Sequence, residues 1–438
     1  MSLPGGYGIA ESWPLALRGI LGRLRGSAIL REIAGTFGTR VLLIAAGLVV
    51  SVLTTRMLGP EGRGIFAVAS AASALCIQFG NLGLHASNTY TVVRNPETLP
   101  GLIANSIVVS LAVGAVVYGL SLIVASVAPG ALSLSPEMRR LAVASVPLGL
   151  SYLLLQNLLI GTGRIRAYNV LEIALKIGGI VLLLALLAFR WVTPSTVFAV
   201  TVVTSAAGCI AVLWILPHTH VAAFRFDAPL MRGALGYGMK AYASALFAYV
   251  TLRFDLLMVE HYRGAIDAGY YSIAAAYGDL VYLLPTVVGT ILFPRLSALP
   301  TDVERWALAR RAAGGLGALM VVGVVAAALL APFVVRILYG ARFAPAIPAV
   351  LWLMPGLAFL SVNTVFMNYF GSIGMPPITV VAPAVAATAN IALNTVLIPR
   401  SGIVGASIAS TIAYALMLVC SLVYVTTRPP RREGIARE

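Results

Sequence analysis

Apolar stretches of about 20 residues, the length that crosses a bilayer's hydrocarbon as helix, recur along the chain between short breaks rich in glycine, proline and charge. Val41 to Leu53, Gly178 to Phe189 and Gly314 to Ala331 are the cleanest cores of such stretches. The pattern predicts twelve spanning helices, over 36–57, 64–88, 102–128, 140–160, 169–189, 195–216, 233–259, 269–293, 312–337, 346–370, 377–398 and 403–426. The period-two alternation of a transmembrane barrel is not seen. The longest polar connection, PHTHVAAFRFDAPLMRG at 217–233, divides the chain into two sets of six spans.

An internal repeat supports that division. LGPEGRGIFAVA (58–69) follows span one and RGAIDAGYYSIA (263–274) follows span seven, at an offset of 205 residues. Gly59 then falls on Gly264, Gly64 on Gly269 and Ala69 on Ala274. Each copy opens an even-numbered helix after a short loop.

Composition places the chain firmly in the membrane. Of 438 residues, 60% are hydrophobic and 10% charged, against roughly 45–50% and 25% in a soluble domain. The mean hydropathy is +0.95. The net charge of +15 is spread over short connections and not gathered into one nucleic-acid-binding domain. The termini and even-numbered connections hold seventeen arginines and the odd-numbered ones nine, so both termini are predicted cytoplasmic by the positive-inside rule. The expected organisation is a basic N-terminal segment at 1–35, a first lobe at 36–217, a cytoplasmic linker at 218–232, a second lobe at 233–427 and a basic tail at 428–438. In the first of these, Leu17, Ile20, Leu21, Leu24 and Ala28 keep helical spacing among Arg18, Arg23 and Arg25. That pattern predicts an amphipathic helix on the membrane surface and no cleaved signal peptide. Cys76, Cys209 and Cys420 all lie in apolar segments, with neither metal-ligand spacing nor a disulfide framework.

Polar residues inside spans usually face a bundle interior or a wet cavity. In span two, Gln78, Asn81, His85 and Asn88 keep to one helical side, and in span one Arg40, Gly47, Ser51 and Thr54 do so. Span seven aligns Tyr242, Tyr249, Arg253 and Glu260 on one side, with Lys240, Ser244, Thr251 and Asp255 on another. Span eight offers Ser272, Asp279, Tyr282 and Thr286. Two readings of these stripes stand side by side: a hydrated space between the halves, and polar contacts that glue helices together.

Charges at mid-span cost roughly 2.5–3.5 kcal/mol each on insertion scales, so each calls for a partner, water or a charged ligand. Glu172 and Lys176, four apart on span five, predict a local ion pair. Arg253 and Asp255 are two apart and point to different sides. Arg253 therefore has two readings, an interhelical pair with Asp279 and a cation facing a ligand. Asp255, Asp279, Glu260 and Glu172 are the acids that could couple an ion or hold helices together. No GxSxG elbow, HExxH, phosphate-binding loop or Cys/His metal set occurs. The short loops leave no room for a catalytic domain, so transport outranks catalysis and no cofactor is expected. Coupling to Na⁺ or H⁺ is not legible in these residues.

Two stretches carry a resemblance. TTRMLGPEGRGIFAVASAASALCIQFGNLGLHAS (54–87) resembles the opening helix pair of bacterial polysaccharide or oligosaccharide flippases, in the superfamily that also holds the multidrug and toxin extruders. ANIALNTVLIPRSGIVGASIAS (389–410) is similar to that family's last two helices, and RFDLLMVEHYRGAIDAGYYSIAAA (253–276) and LFPRLS (292–297) also fit its pattern. The resemblance implies an all-α, MATE-like fold of two six-helix lobes around a central cavity that opens alternately to each side. It implies as substrate a polyprenyl-diphosphate-linked oligosaccharide, moved across the bacterial cytoplasmic membrane. Membrane lipids and other polysaccharide-assembly proteins would be its partners, and nucleic acid would not. On that reading Arg40, Arg253 and Lys240 would meet the diphosphate, which arginine's forked donors suit, and Tyr249, Tyr270 and Tyr282 are equally candidates to stack on sugars and to pack the core. Two alternatives remain: an ion-coupled multidrug or cation antiporter of the same superfamily, and a membrane-embedded glycosyltransferase or ligase.

Overall fold

The computed structural model describes residues 28–127, 134–216 and 225–428, apart from the side chains of 28–41, 235–238 and 240. The amphipathic helix expected near 17–28, the start of the linker and the tail beyond Arg428 lie outside the described residues. Within them the chain is helical: α1 (Ala28–Asn81), α2 (Leu84–Arg94), α3 (Leu99–Val127), α4 (Pro136–Gly161), α5 (Ile165–Ala188), α6 (Pro194–Ile215), α7 (Ala228–Arg263), α8 (Ala265–Ser297), α9 (Asp302–Val334), α10 (Ile347–Ser372) and α11 (Ile378–Thr427). Ten helices among the described residues are long and apolar enough to cross a membrane.

Two of the ten supply two crossings each. In α1 the run breaks at Gly59 (φ 67, ψ −176), where only glycine is unstrained, and Pro60, which needs no amide partner, restarts the helix. Ile44 and Ala74 then line one cavity, although a straight helix would hold them about 45 Å apart. In α11 the break is Gly402 (φ 56, ψ −139). There Asn390 Nδ2 donates to Ser410 Oγ at 3.2 Å, across what would be about 30 Å of straight helix. The twelve predicted spans are thus twelve arms on ten helices.

One predicted span ends early. The helix expected over 64–88 stops at Asn81, because Leu82 (φ 48) and Gly83 (φ 76) turn the chain before α2 begins. The polar stripe drawn through Gln78, Asn81, His85 and Asn88 assumed one uninterrupted helix and is broken at that turn.

Each half has a helix at its centre. In the first, α4 buries Leu150, Leu154, Leu155, Leu158 and Leu159 completely. In the second, α10 buries Ala349, Val350 and Phe370, inside a core that joins α7, α8, α9, α10 and α11. The linker is pinned to the first half, where Asn105 Nδ2 donates to the Asp227 carbonyl and Asn105 Oδ1 accepts from the Asp227 amide, both at 2.9 Å. Asp227 caps α7 by accepting from the Leu230 amide.

The repeat seen in sequence is a symmetry of the fold. Gly264 (φ 83, ψ 179) at the α7–α8 turn adopts the conformation of Gly59. A Cβ on Gly64 would lie 1.7 Å from the Ala265 carbonyl oxygen, and one on Gly269 would lie 2.0 Å from that of Pro60. These two contacts exchange under the 205-residue shift. Six arms per half bring the second half in with the orientation of the first, so the pseudo-two-fold axis runs along the membrane normal.

Candidate functional site: a cavity on the pseudo-two-fold axis

Between the halves lies a cavity of about 470 Å³. Its lining comes from Tyr339, just after α9, and from α1 and α7–α8, where several positions are related by the shift: Ile44 with Tyr249, Leu48 with Arg253, Ala67 with Ser272, and Ala74 with Asp279. At one end the Gly64–Gly269 crossing brings α1 and α8 into backbone contact. Toward the other end Tyr242 Oη donates to the Phe79 carbonyl at 2.7 Å, again from one half to the other.

Two arginines face this space in different states. Arg253 Nη2 donates to Asp279 Oδ2 at 2.8 Å, with the side chains 33% and 53% exposed to the cavity. Both sequence readings of Arg253 therefore meet in one residue, which is paired with Asp279 and also lines the cavity. Arg63 is 8% exposed and is held by neutral groups. Its Nη1 donates to Thr54 Oγ1 at 2.8 Å within its own half, and its Nε donates to Ser272 Oγ at 3.2 Å in the other. The Phe66 ring lies 5.6 Å from the guanidinium carbon. No ion pair joins Arg63 to a carboxylate among the described residues. Counting these three charges, the cavity carries one uncompensated positive charge, and it sits on Arg63.

Sequence reasoning counted Arg63 as a loop charge. It begins the second arm of α1, four residues after the break, and only the crossing of α1 over α8 encloses it. The signal that pointed there was the repeat, since Gly64 is its neighbour.

The other candidates fall in several places. Gly47 and Ser51 of the span-one stripe line the cavity, and Thr54 accepts from Arg63. The side chains of Arg40 and Lys240 lie outside the described residues. Tyr249 lines the cavity. Tyr282 faces a second cavity of about 400 Å³ within the second half, where its hydroxyl meets Thr364 Oγ1 at 2.6 Å. Tyr270 packs edge-on against Phe343. Asp255 is buried in the second half and accepts from the Tyr271 hydroxyl, from Ser410 Oγ at 3.0 Å and from the Leu256 amide at 2.8 Å. It joins α7, α8 and the second arm of α11. Ser410 continues to Asn390, which accepts from Asn394 at 2.9 Å, so a buried polar chain runs between α7 and both arms of α11. Glu260 is buried near the end of α7.

Three expectations are corrected. Asn88 does not reach the cavity: it is buried on α2 and donates to Ser106 on α3 at 2.9 Å. Asn81 and His85 bond each other across the α1–α2 turn, and Gln78 is absent from the cavity lining. The helix break at Leu82 and Gly83 turns His85 and Asn88 away from the line of Gln78 and Asn81. Glu172 does not pair with Lys176: it accepts from Tyr152 on α4 at 2.8 Å, and Lys176 is exposed.

A cavity on the axis of a duplicated helical bundle, holding one unpaired arginine, sets the terms for comparison with known proteins. A family model described as polysaccharide biosynthesis protein matches residues 30–299. The chain belongs to the polysaccharide biosynthesis protein family. This family member is 26% identical over 357 residues to the succinoglycan biosynthesis transport protein ExoT of Rhizobium meliloti (strain 1021), covering 78% of this chain and 67% of that one. Among solved structures, it is similar to an inward-facing multidrug resistance MATE family transporter of the MOP superfamily. The TM-score is 0.72 at 13% identity, over 88% of this chain and 94% of that one. It is also similar to the lipid II flippase MurJ in an inward closed conformation, with a TM-score of 0.71 at 16% identity over 91% and 87% of the two chains. The family member thus has a MATE-like transporter fold and is a multi-pass membrane protein.

Proposed function

We infer that this protein carries the headgroup of a polyprenyl-diphosphate-linked oligosaccharide across the cytoplasmic membrane of a bacterium, by alternating access of the central cavity. The single observation that carries the reading is Arg63, a cation without a carboxylate partner in a cavity on the axis between two rocking halves. A diphosphate crossing a low-dielectric region needs such a cation, and guanidinium donors match phosphate oxygens. The family, the transport protein ExoT and the lipid II flippase MurJ support the same substrate class. The arginine bias supports a cytoplasmic side for both termini and the even-numbered connections, and on that orientation the Gly64–Gly269 crossing is at the outer end. The cavity is then closed outward. The lipid tail stays in the bilayer while the headgroup crosses, and a potential negative inside favours outward movement by about 2.3 kcal/mol per negative charge per 100 mV. A cation antiporter fits less well, because Asp279, the one carboxylate lining the cavity among the described residues, is paired with Arg253.

Proteoliposomes test this directly. A fluorescent polyprenyl-diphosphate oligosaccharide is added, and protection of its headgroup from an impermeant reagent is followed beside efflux of a cationic dye. Headgroup movement that needs Arg63, without dye efflux, is expected. Dye efflux on an ion gradient with a static lipid overturns the reading.

A further inference from the structure

The outer closure is made of backbone. At Gly64 and Gly269 no side chain fits, since an added Cβ would fall 1.7 Å and 2.0 Å from carbonyl oxygens of the opposite half. The crossing is packed with apolar residues, Val68 of α1 and Ala268 and Ala274 of α8 among them, and such packing has no preference for one ligand state, so what can respond to a ligand is the hydrogen bonding beside it. The hydrogen bond immediately beside it is Arg63 to Ser272, from one half to the other at 3.2 Å. Its neighbour, Arg63 to Thr54 at 2.8 Å, stays within the first half. Arg56 also crosses at this end, its Nε donating to the Leu338 carbonyl at 2.8 Å and its Nη2 to that of Ile337, but only Arg63 of these two lines the cavity below.

We propose that Arg63, besides meeting the anion, links anion occupancy of the cavity to opening of the Gly64–Gly269 closure. A guanidinium has five N–H donors, and an ionised phosphate oxygen is a stronger acceptor for them than a neutral hydroxyl. A phosphate arriving in the cavity draws Arg63 off Ser272. The Thr54 bond keeps the side chain in the first half, so the bond lost is Arg63's own crossing to the second half, which leaves the Arg56 bonds to Leu338 and Ile337 to hold that end alone. Arg253 is unsuited to this role, because Asp279 already holds it and both residues belong to the second half. The inference rests on the proposed anionic headgroup and adds to it a release mechanism for the outer end.

The outward ends of the crossing helices offer reporters. Glu61 and Ile266 are both exposed, and they are related by the 205-residue shift. Spin labels at Glu61→Cys and Ile266→Cys, with Cys76, Cys209 and Cys420 replaced by serine, read the separation of α1 and α8 in nanodiscs. Inorganic pyrophosphate is the probe and sodium chloride of equal ionic strength the control. Pyrophosphate is expected to raise the long-distance population severalfold with Arg63 present and to leave it unchanged in Arg63→Gln. Ser272→Ala is expected to raise it without any anion. Gly64→Ala, which holds the helices apart, calibrates the long distance, and size-exclusion elution checks that each variant is folded. The proposal is overturned if pyrophosphate moves Arg63→Gln as it moves the parent, if the parent does not respond, or if Ser272→Ala stays closed. A pyrophosphate response through Arg63 with no headgroup movement in proteoliposomes would defeat the flippase reading and leave this link standing. Headgroup movement with an unresponsive closure would do the reverse.

Discussion

At positions related by the shift of 205 residues, the first half has Leu48, Val50 and Ala74 where the second has Arg253, Asp255 and Asp279, while Ala268 stands opposite Arg63. Yet Gly59 and Gly264 share one backbone conformation, and the two glycine crossings exchange under the same shift. Backbone contacts have kept the symmetry, and charge has not. The difference separates two jobs. A symmetric closure lets both halves rock about one axis, whereas a ligand with a charged end and an apolar tail has no such symmetry and is met by unequal walls. On the cavity wall the second half pairs its charges, Arg253 with Asp279, while Asp255 lies buried behind that wall and is hydrogen-bonded by hydroxyls and an amide. In the first half Arg63 lines the cavity, held by hydroxyls and with no carboxylate partner among the described residues.

The most severe way to break the symmetric part is Gly64→Leu. Restoring ordinary contact from 1.7 Å would push α1 and α8 apart by about 2 Å before the rest of the side chain is placed, so headgroup transport should fall by about tenfold or more. Gly269→Leu should match it, because the contact is reciprocal. Gly47→Ala is the contrast, since it lines the same cavity and an added Cβ there meets nothing within 4 Å. If Gly47→Ala is as damaging as Gly64→Leu, the closure has no special standing. Next in size comes the asymmetric part. Arg63→Gln removes that cation, and hydrogen bonds to charged groups contribute about 1.5–3 kcal/mol, so transport should fall by about 10–100-fold. Arg63→Lys should recover part of it, as charge returns without the fork.

The same contrast explains what could be read in the sequence. Twelve spans and the division after span six followed from apolar length and from breaks, which act locally. The repeat needed only three identities, because Gly59 and Gly64 with their counterparts are positions where backbone geometry excludes every other residue. Arg63 was out of reach because Thr54 and Phe66 on its own helix do not suffice to bury it; Ser272 on α8, 209 residues away, completes its surroundings. The partners of Asp255 had the same difficulty, since Ser410 is 155 residues distant. The span-two stripe misled for a local reason: helical spacing was carried through Leu82 and Gly83, where the φ angles are positive. At Glu172 the four-residue spacing was sound, but a tyrosine on α4 lay nearer than the lysine on its own helix.

A smaller effect sharpens the neutralised wall. Arg253→Gln alone leaves Asp279 unpaired in a cavity that is to receive an anion, so it should slow headgroup movement more than the double change Arg253→Gln with Asp279→Asn. The pair is partly exposed, which limits its coupling to about 1 kcal/mol, or roughly fivefold in rate. Rates that simply multiply would mean that Arg253 meets the ligand independently of its acid.

The smallest effect tests whether the polar residues of the first half divide as the geometry divides them. Asn88 and Arg63 are both buried and both bond a serine hydroxyl, but Asn88 reaches Ser106 inside its own half and Arg63 reaches Ser272 in the other. Removing the Asn88 amide should cost about 1 kcal/mol of stability, the usual worth of one buried hydrogen bond. It should lower the thermal unfolding midpoint without changing the transport rate per folded molecule. Asn88→Ala that unfolds like the parent but flips headgroups slowly would return α2 to the transport path and place a polar contact of the first half where the cavity geometry has none.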